Sequence, residues 1–246
     1  MKLSVNVNKI ALLRNSRARG VPDVLAFARK IVAYGAHGIT VHPRADRRHI
    51  TPEDARAIAR EITSVETNFE GDIREEFLDL VLECRPTQCT LVPVTPGEIT
   101  SNRGWDADHW RFLLEPVVRR LRDHGVRVSL FVEADPALIP AIVATGADRI
   151  EIYTGPYADA FDRGDFRAEL DRIAATARAA EQAGVGVNAG HDLTVENLAP
   201  IVREVPQVVE VSIGHHLTVR ALEVGMEQAV RDYLGAVAGD APPPAK

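Results

Sequence analysis

Short runs of β-branched and other apolar residues recur eight times along this chain, and a longer segment with helical periodicity follows each run. One strand–helix unit takes about 30 residues, the usual length of a βαβ unit. The runs predict strands at Leu3–Asn6, Gly38–His42, Val65–Glu70, Gln88–Val92, Arg127–Val132, Arg149–Tyr153, Gly186–Ala189 and Val208–Ile213. Eight consecutive units predict an α/β fold, a closed (β/α)₈ TIM barrel.

The segments between the strands begin and end with residues that are typical of helix termini. They are Val21–Tyr34, Pro52–Ile62, Arg74–Cys84, Asp106–Asp123, Pro136–Ala144, Phe166–Ala183, Val195–Val202 and His215–Val237. Thr51 followed by Pro52 is a helix start, and Gly35 and Gly125 are typical of helix ends. An open doubly wound sheet is the alternative, but no GxGxxG motif follows the first strand.

Length and composition indicate one domain. A barrel of this kind uses about 250 residues, and the chain has 246. We expect a single domain over 1–238 and a disordered tail over 239–246, which contains three consecutive prolines.

The net charge, the cysteine content and the N-terminal sequence narrow the class of protein further. The net charge of −6 argues against nucleic acid or an anionic membrane as partner. Two cysteines cannot form a disulfide framework. The N-terminus meets a charge too soon for a signal peptide, and no 18-residue apolar run spans a membrane. We therefore expect a cytoplasmic protein.

Polar residues stand where the predicted strands end. In barrels of this kind the loops after the strands carry function, and those before them carry stability. The residues at the functional end are Asn6, His42, Glu70, Glu133, Glu151, His191 and His215. His49 and His216 fall on the same face, whereas His37 and His124 precede strands and are expected to be structural.

Glu70 is the candidate general base. It ends an otherwise apolar strand, where partial desolvation raises a carboxyl pKa. The alternative is a structural acid paired with arginine. Glu133 and Glu151 could act beside it or orient a substrate, and Asn68 would share its side of the strand.

Basic residues and glycine turns predict anion sites. Arginines follow the first two strands, namely Arg14, Arg17, Arg19, Arg44, Arg47 and Arg48. Arginine suits bidentate phosphate recognition. Glycine turns follow strands seven and eight, near helix starts that offer backbone N–H groups. The two regions indicate two phosphorylated ligands or one bisphosphate.

Several chemistries are disfavoured. Only four of the 29 basic residues are lysine, and Lys9 alone is near the barrel mouth, on a predicted loop. Covalent lysine catalysis is therefore not expected. No group of residues has the spacing typical of metal ligands, although His42, Glu70 and His191 could converge. No GxSxG motif, which is typical of serine nucleophiles, is present. Acid–base chemistry on a phosphorylated carbonyl compound remains, with no metal or cofactor expected.

Five motifs make the chain resemble the pyridoxine 5′-phosphate synthase family. They are VNVNKIALLRNSR (5–17), GITVHPRADRRHIT (38–51), NFE (68–70), VNAGHDLT (187–194) and IGH (213–215). The resemblance runs from Leu3 to about Tyr233. It implies a barrel with extra helices, assembled as a homo-octamer without metal or organic cofactor. The implied reaction condenses 1-deoxy-D-xylulose 5-phosphate with 3-amino-2-oxopropyl phosphate to give pyridoxine 5′-phosphate, phosphate and water.

The resemblance also implies residue roles. His42 and Glu70 resemble the family's general bases and His191 its general acid. The residues that would hold the amino-ketone phosphate are Asn6, Arg17, Gly214 and His215. Those that would hold the deoxyxylulose phosphate are Arg44, His49 and Thr100.

This chain departs from the family pattern at three places near these residues, one of which is a slight difference in the spacing of Arg17-Ala18-Arg19-Gly20 to the first helix. After the first strand the usual Asn-x-Asp-His is replaced by Asn6-Val7-Asn8-Lys9. We therefore include Asn8 and Lys9 among the predicted substrate contacts, and we expect Lys9 to bind a phosphate group. Asp192 follows His191 where glycine is usual, and it is included with the substrate-binding set.

Two other functions stay open on the residues alone. A sugar-phosphate isomerase or epimerase could use Glu70 and His191 on a single phosphosugar. A non-catalytic protein that binds phosphorylated ligands would bind tightly without turnover.

Overall fold

The computed structural model describes residues 1–17, 19–94 and 102–240. Its strands are β1 (Lys2–Asn6), β2 (Gly38–Val41), β3 (Glu66–Gly71), β4 (Gln88–Leu91), β5 (Arg127–Val132), β6 (Arg149–Tyr153), β7 (Gly186–Gly190) and β8 (Val208–Ile213). All pair in parallel in chain order, and β1 pairs with β8 to close the barrel. The predicted TIM barrel is confirmed.

Helices surround the barrel. In the described ranges they are α1 (Asn8–Asn15), α2 (Val24–Ala33), α3 (Pro52–Glu61), α4 (Glu75–Cys84), α5 (Arg111–Asp123), α6 (Ile139–Thr145), α7 (Gly155–Asp162), α8 (Arg167–Gln182), α9 (Val195–Glu204), α10 (His215–Val224) and α11 (Met226–Ala238). A 3₁₀ turn over Pro136–Leu138 precedes α6. No helix in the described ranges is long and apolar enough to cross a membrane.

Three helical expectations need correction. The segment after β1, expected as a loop, forms α1, so Lys9 lies on a helix. A short helix, α7, follows β6 directly. The segment His215–Val237, expected as one helix, is divided into α10 and α11 at Gly225, whose φ of +85° is left-handed. A residue with that φ interrupts the helical backbone.

The core lies between the sheet and the helices. Leu3, Ile39, Phe69 and Leu130 come from the strands and are fully buried. The strands also bury polar side chains, namely Ser4, Thr40, Asn68, Gln88, Thr90, Ser129, Glu151, Asn188 and Glu210. Asn188 Nδ2 donates to Gln88 Oε1 at 3.4 Å although β4 and β7 are not neighbours, so these side chains meet inside the barrel.

The interior of this barrel is more polar than is usual for the fold. Barrel interiors are commonly filled by valine, isoleucine and leucine. Here the interior bonds run between strands, as in Ser4 Oγ with Thr40 Oγ1 at 2.7 Å and Thr90 Oγ1 with Asn68 Oδ1 at 3.1 Å. Such bonds satisfy groups that would be costly to bury alone. Acidic groups can therefore be held inside this barrel, below the functional end.

Candidate active site

A cavity of about 510 Å³ opens at the carboxyl ends of the strands. All three predicted catalytic residues, His42, Glu70 and His191, line it. The predicted ligand contacts that also line it are Asn6, Asn8, Lys9, Arg44, His49, Asp192, Gly214 and His215. Arg17 is exposed and is not among the lining residues, and Thr100 lies outside the described residues.

Glu70 lies near the end of β3 with both carboxylate oxygens in contact with neighbours. Asn6 Nδ2 donates to Oε2 at 3.2 Å, and Ser212 Oγ lies 3.5 Å from Oε1. Burial raises the pKa of Glu70 to about 7, although the nearby His191 and these two hydrogen bonds act in the opposite direction. Glu70 can therefore both take and return a proton near neutral pH.

His42 follows β2 and is buried. Its Nδ1 lies 3.9 Å from Glu70 Oε2, and its buried Nε2 has no hydrogen-bond partner among the described residues. Burial, with the positive charge of Arg44 next in importance, lowers the pKa of His42 well below its ordinary value. The ring is therefore neutral at pH 7 and is able to accept a proton.

The start of α1 fixes the position of this histidine. His42 N donates to Asn8 Oδ1 at 2.9 Å, and Asn8 N donates to Asn6 Oδ1 at the same distance. Asn8 thus ties the ends of β1 and β2 together as well as lining the cavity. Lys9 is the next residue. Burial is the main cause that lowers the pKa values of His49 and His215, and the charge of Lys9 lowers both further.

His49 lies beside His42, with ring centroids 6.0 Å apart. Its Nδ1 accepts from Ile50 N at 2.9 Å, so Nε2 carries the hydrogen of the neutral ring. Burial, followed by the charge of Arg44, lowers the pKa of His49 to about 4. Arg14, a predicted cation after β1, donates to His49 O at 3.1 Å and to Asp54 at 2.8 Å, which holds this loop in place.

His191 lies in the turn after β7 and is held on several sides. Its Nδ1 lies 2.8 Å from Asp192 Oδ2, and its ring meets that of Tyr153 edge-on at 5.1 Å. Thr154 Oγ1 donates to the carbonyls of Gly190 and His191. Contacts with His191, then with His216, hold the pKa of Asp192 well below its usual range.

Glu151 is a second acid on the cavity wall. It is buried in β6, and its Oε2 has no hydrogen-bond partner in the described ranges. Burial, followed by repulsion from Glu70 and Glu210, raises its pKa well above the ordinary value. A Cβ added to Gly190 would lie 2.3 Å from Glu151 Oε1, so glycine leaves this carboxyl in place and a larger residue would displace it.

Two functional residues were outside the predicted set. Ser212 bonds Glu70, and its place on β8 opposite Ser4 and Gly190 would have indicated an inward position. For His216 the sequence predicts only a place on the functional face, whereas in the structure its Nε2 lies 3.6 Å from Asp192 Oδ1. Glu133, conversely, accepts from Gly104 N at 2.9 Å and does not line the cavity.

The chain is similar in fold to several solved barrel enzymes. It superposes on 3-hexulose-6-phosphate synthase from Salmonella typhimurium with a TM-score of 0.69 at 15% identity, covering 98% of this chain and 100% of that one. For phosphoribosylanthranilate isomerase from Thermotoga maritima the TM-score is 0.57 at 14% identity, covering 97% and 99%. Identities this low show the fold alone.

Sequence relatives are much more similar. Pyridoxine 5′-phosphate synthase from Mesorhizobium japonicum is 50% identical over 240 residues, covering 96% of this chain and 98% of the relative. The enzyme of the same name from Christiangramia forsetii is 45% identical over 233 residues, covering 95% and 98%. Residues 3–239 match a family model described as pyridoxal phosphate biosynthesis protein PdxJ.

The fold and the site define a TIM-barrel enzyme with a cluster of buried titratable side chains at the mouth of the barrel. The family model matches residues 3–239, nearly the whole chain, and this match identifies the family. The chain belongs to the PdxJ family of vitamin B6 biosynthesis.

Proposed function

We propose that this enzyme condenses 1-deoxy-D-xylulose 5-phosphate with 3-amino-2-oxopropyl phosphate to form pyridoxine 5′-phosphate, phosphate and water. The observation that carries the proposal is Glu70, whose pKa is raised to about 7 in the same cavity as the neutral His42 and as His191. A multistep condensation needs protons moved at several places, and these three groups come from three different strand ends. The names of the relatives support the same reaction.

Two regions of the cavity suit phosphate groups. One side is lined by three cationic side chains and one imidazole that offers a ring N–H, namely Lys9, Arg44, Arg48 and His49. On the other, α10 begins at His215 directly after Gly214, which has no side chain, so the first N–H groups of the helix are open to an anion. We assign the pentulose phosphate to the first region and the amino-ketone phosphate to the second.

The chemistry begins between the two substrates. The amine of one attacks the ketone of the other and, with loss of water, forms an imine, so no lysine of the enzyme is needed. Later steps eliminate phosphate and water and close the ring. We assign proton removal to His42 and Glu70, and protonation of a leaving oxygen to His191. Groups tuned near the working pH each contribute about 10²–10⁴-fold.

The test is a reconstitution with purified protein and both phosphate substrates, following product absorbance and phosphate release. The expected result is product and phosphate appearing together, and only when both substrates are present. Absence of product over a wide range of enzyme concentration would overturn the proposal. Turnover of one phosphosugar without the amine would identify an isomerase instead.

The assembly and location belong to the same proposal. We propose a homo-octamer in the cytoplasm, as the resemblance implies. Several large apolar side chains are exposed on the single chain, among them Phe112 at 87% and Leu222 at 80%, and contacts between subunits would cover such groups. Light scattering on the eluted protein should give eight times the chain mass, and a monomer would contradict the assembly.

A further inference from the structure

The turn after β7 combines an unusual backbone with an unusual side chain. His191 and Asp192 both have positive φ, 91° and 55°, which non-glycine residues adopt only at a cost. Glycine adopts such a φ freely, so Asp192 places a carboxylate at a position where the backbone conformation favours glycine.

The carboxylate contacts two imidazoles from different elements. Asp192 Oδ2 lies 2.8 Å from His191 Nδ1, and Oδ1 lies 3.6 Å from Nε2 of His216 on α10. Both contacts help to keep the pKa of Asp192 low, so the group is ionised throughout the neutral range. An ionised carboxylate only accepts hydrogen bonds, so the nitrogen it contacts at 2.8 Å must carry a hydrogen.

We propose that Asp192 is a positioning residue that holds the His191 ring in the tautomer with its hydrogen on Nδ1, so that Nε2 exchanges the catalytic proton. The inference rests on the proposed function, in which His191 is the general acid. When His191 releases a proton from Nε2, the Nδ1–H bond to Asp192 is unchanged. In Ser-His-Asp triads a buried carboxylate orients its histidine by the same contact.

Other charged and titratable groups surround this pair. They are His215 and His216 of α10, Lys9 of α1, Glu70 of β3 and Tyr153 of β6. His216 contacts the second oxygen of Asp192, so both oxygens are engaged by imidazoles. The carboxylate can therefore lie near a phosphate region with part of its charge offset.

The direct test is nitrogen NMR of the full-length protein with ¹⁵N-labelled histidine, without substrate. The His191 signals are assigned by their loss in His191→Gln. In the parent the neutral ring should carry its hydrogen on Nδ1. In Asp192→Gly, which removes the acceptor, it should change to Nε2–H, the form that imidazole side chains favour in water. A parent ring with Nε2–H, or no change in Asp192→Gly, overturns the proposal.

Kinetics give a second readout, with Asp159→Asn as control because Asp159 is an exposed carboxylate on α7 near Tyr153. For Asp192→Gly kcat should fall about tenfold while KM for each phosphate stays within about twofold. The control should match the parent. A changed KM with kcat intact overturns the positioning role. If the parent forms no product, the proposed function fails, yet the NMR result still decides the tautomer.

Discussion

Glu70 Oε2 lies 3.9 Å from His42 Nδ1, and the two groups have pKa values displaced in opposite directions. Burial raises the carboxyl pKa to about 7 and lowers that of the imidazole, since burial disfavours the charged form of each. At neutral pH the pair therefore holds a partly protonated acid beside a neutral ring. Both partners can accept a proton.

Substitution of Glu70 should separate chemistry from binding. Glu70→Gln keeps the shape of the side chain and its contact with Asn6, so we expect little change in KM. We expect kcat to fall about 10²–10⁴-fold because the amide cannot take a proton. Steady-state kinetics with Glu115→Gln, an exposed carboxylate on α5, as the matched control measures this. Loss of affinity with kcat intact would reassign Glu70 to binding.

The two hydrogen-bond donors on Glu70 should set the pH dependence of the enzyme. Both bonds favour the charged carboxylate and lower its pKa. Removing one should raise the pKa, so the acidic limb of kcat should move to higher pH. We expect this movement in both Asn6→Ala, whose contact is 3.2 Å, and Ser212→Ala, whose contact is 3.5 Å. A limb that moves to lower pH in either variant would contradict this assignment.

The strands could be predicted because each is a short apolar run between turn signals. The first helix was missed because α1 begins after Val7, which has no capping side chain, directly at the end of β1. The break at Gly225 was missed because helical periodicity continues through α10 and α11. Local patterns fix an element's type better than its ends.

The site residues could be predicted because polar groups at strand ends converge in any parallel barrel. The state of Glu151 could not, because it depends on Glu70 and Glu210 approaching from other strands. The Asp192 contact likewise needs α10 to bring His216 beside the turn after β7. Such pairings depend on tertiary structure and have no local signature.

A side chain at Gly190 should displace the Glu151 carboxyl. A Cβ there would lie 2.3 Å from Glu151 Oε1 and 3.3 Å from Ser212 O. We expect Gly190→Ala to lower the free energy of unfolding by about 1–3 kcal/mol in urea titrations. Gly235→Ala is the control, because the nearest atom to its added Cβ is at 3.5 Å and alanine favours the α11 helix. Equal stability of parent and Gly190→Ala would show that Glu151 moves aside without cost.

Glu151 should make stability depend on pH in a predictable direction. Its pKa is raised in the folded state, so between its ordinary pKa near 4.5 and the folded value the folded protein binds more protons than the unfolded chain. The contribution is complete below pH 4.5 and is lost as pH rises towards the folded value. Glu151→Gln removes this dependence, so its free energy of unfolding relative to the parent should rise as the pH rises above 4.5. Urea titrations from pH 5 to pH 8 measure the difference, with Glu115→Gln on α5 as the control. A relative stability that stays constant over that range would mean that the carboxyl is ionised in the folded protein as it is in the unfolded chain.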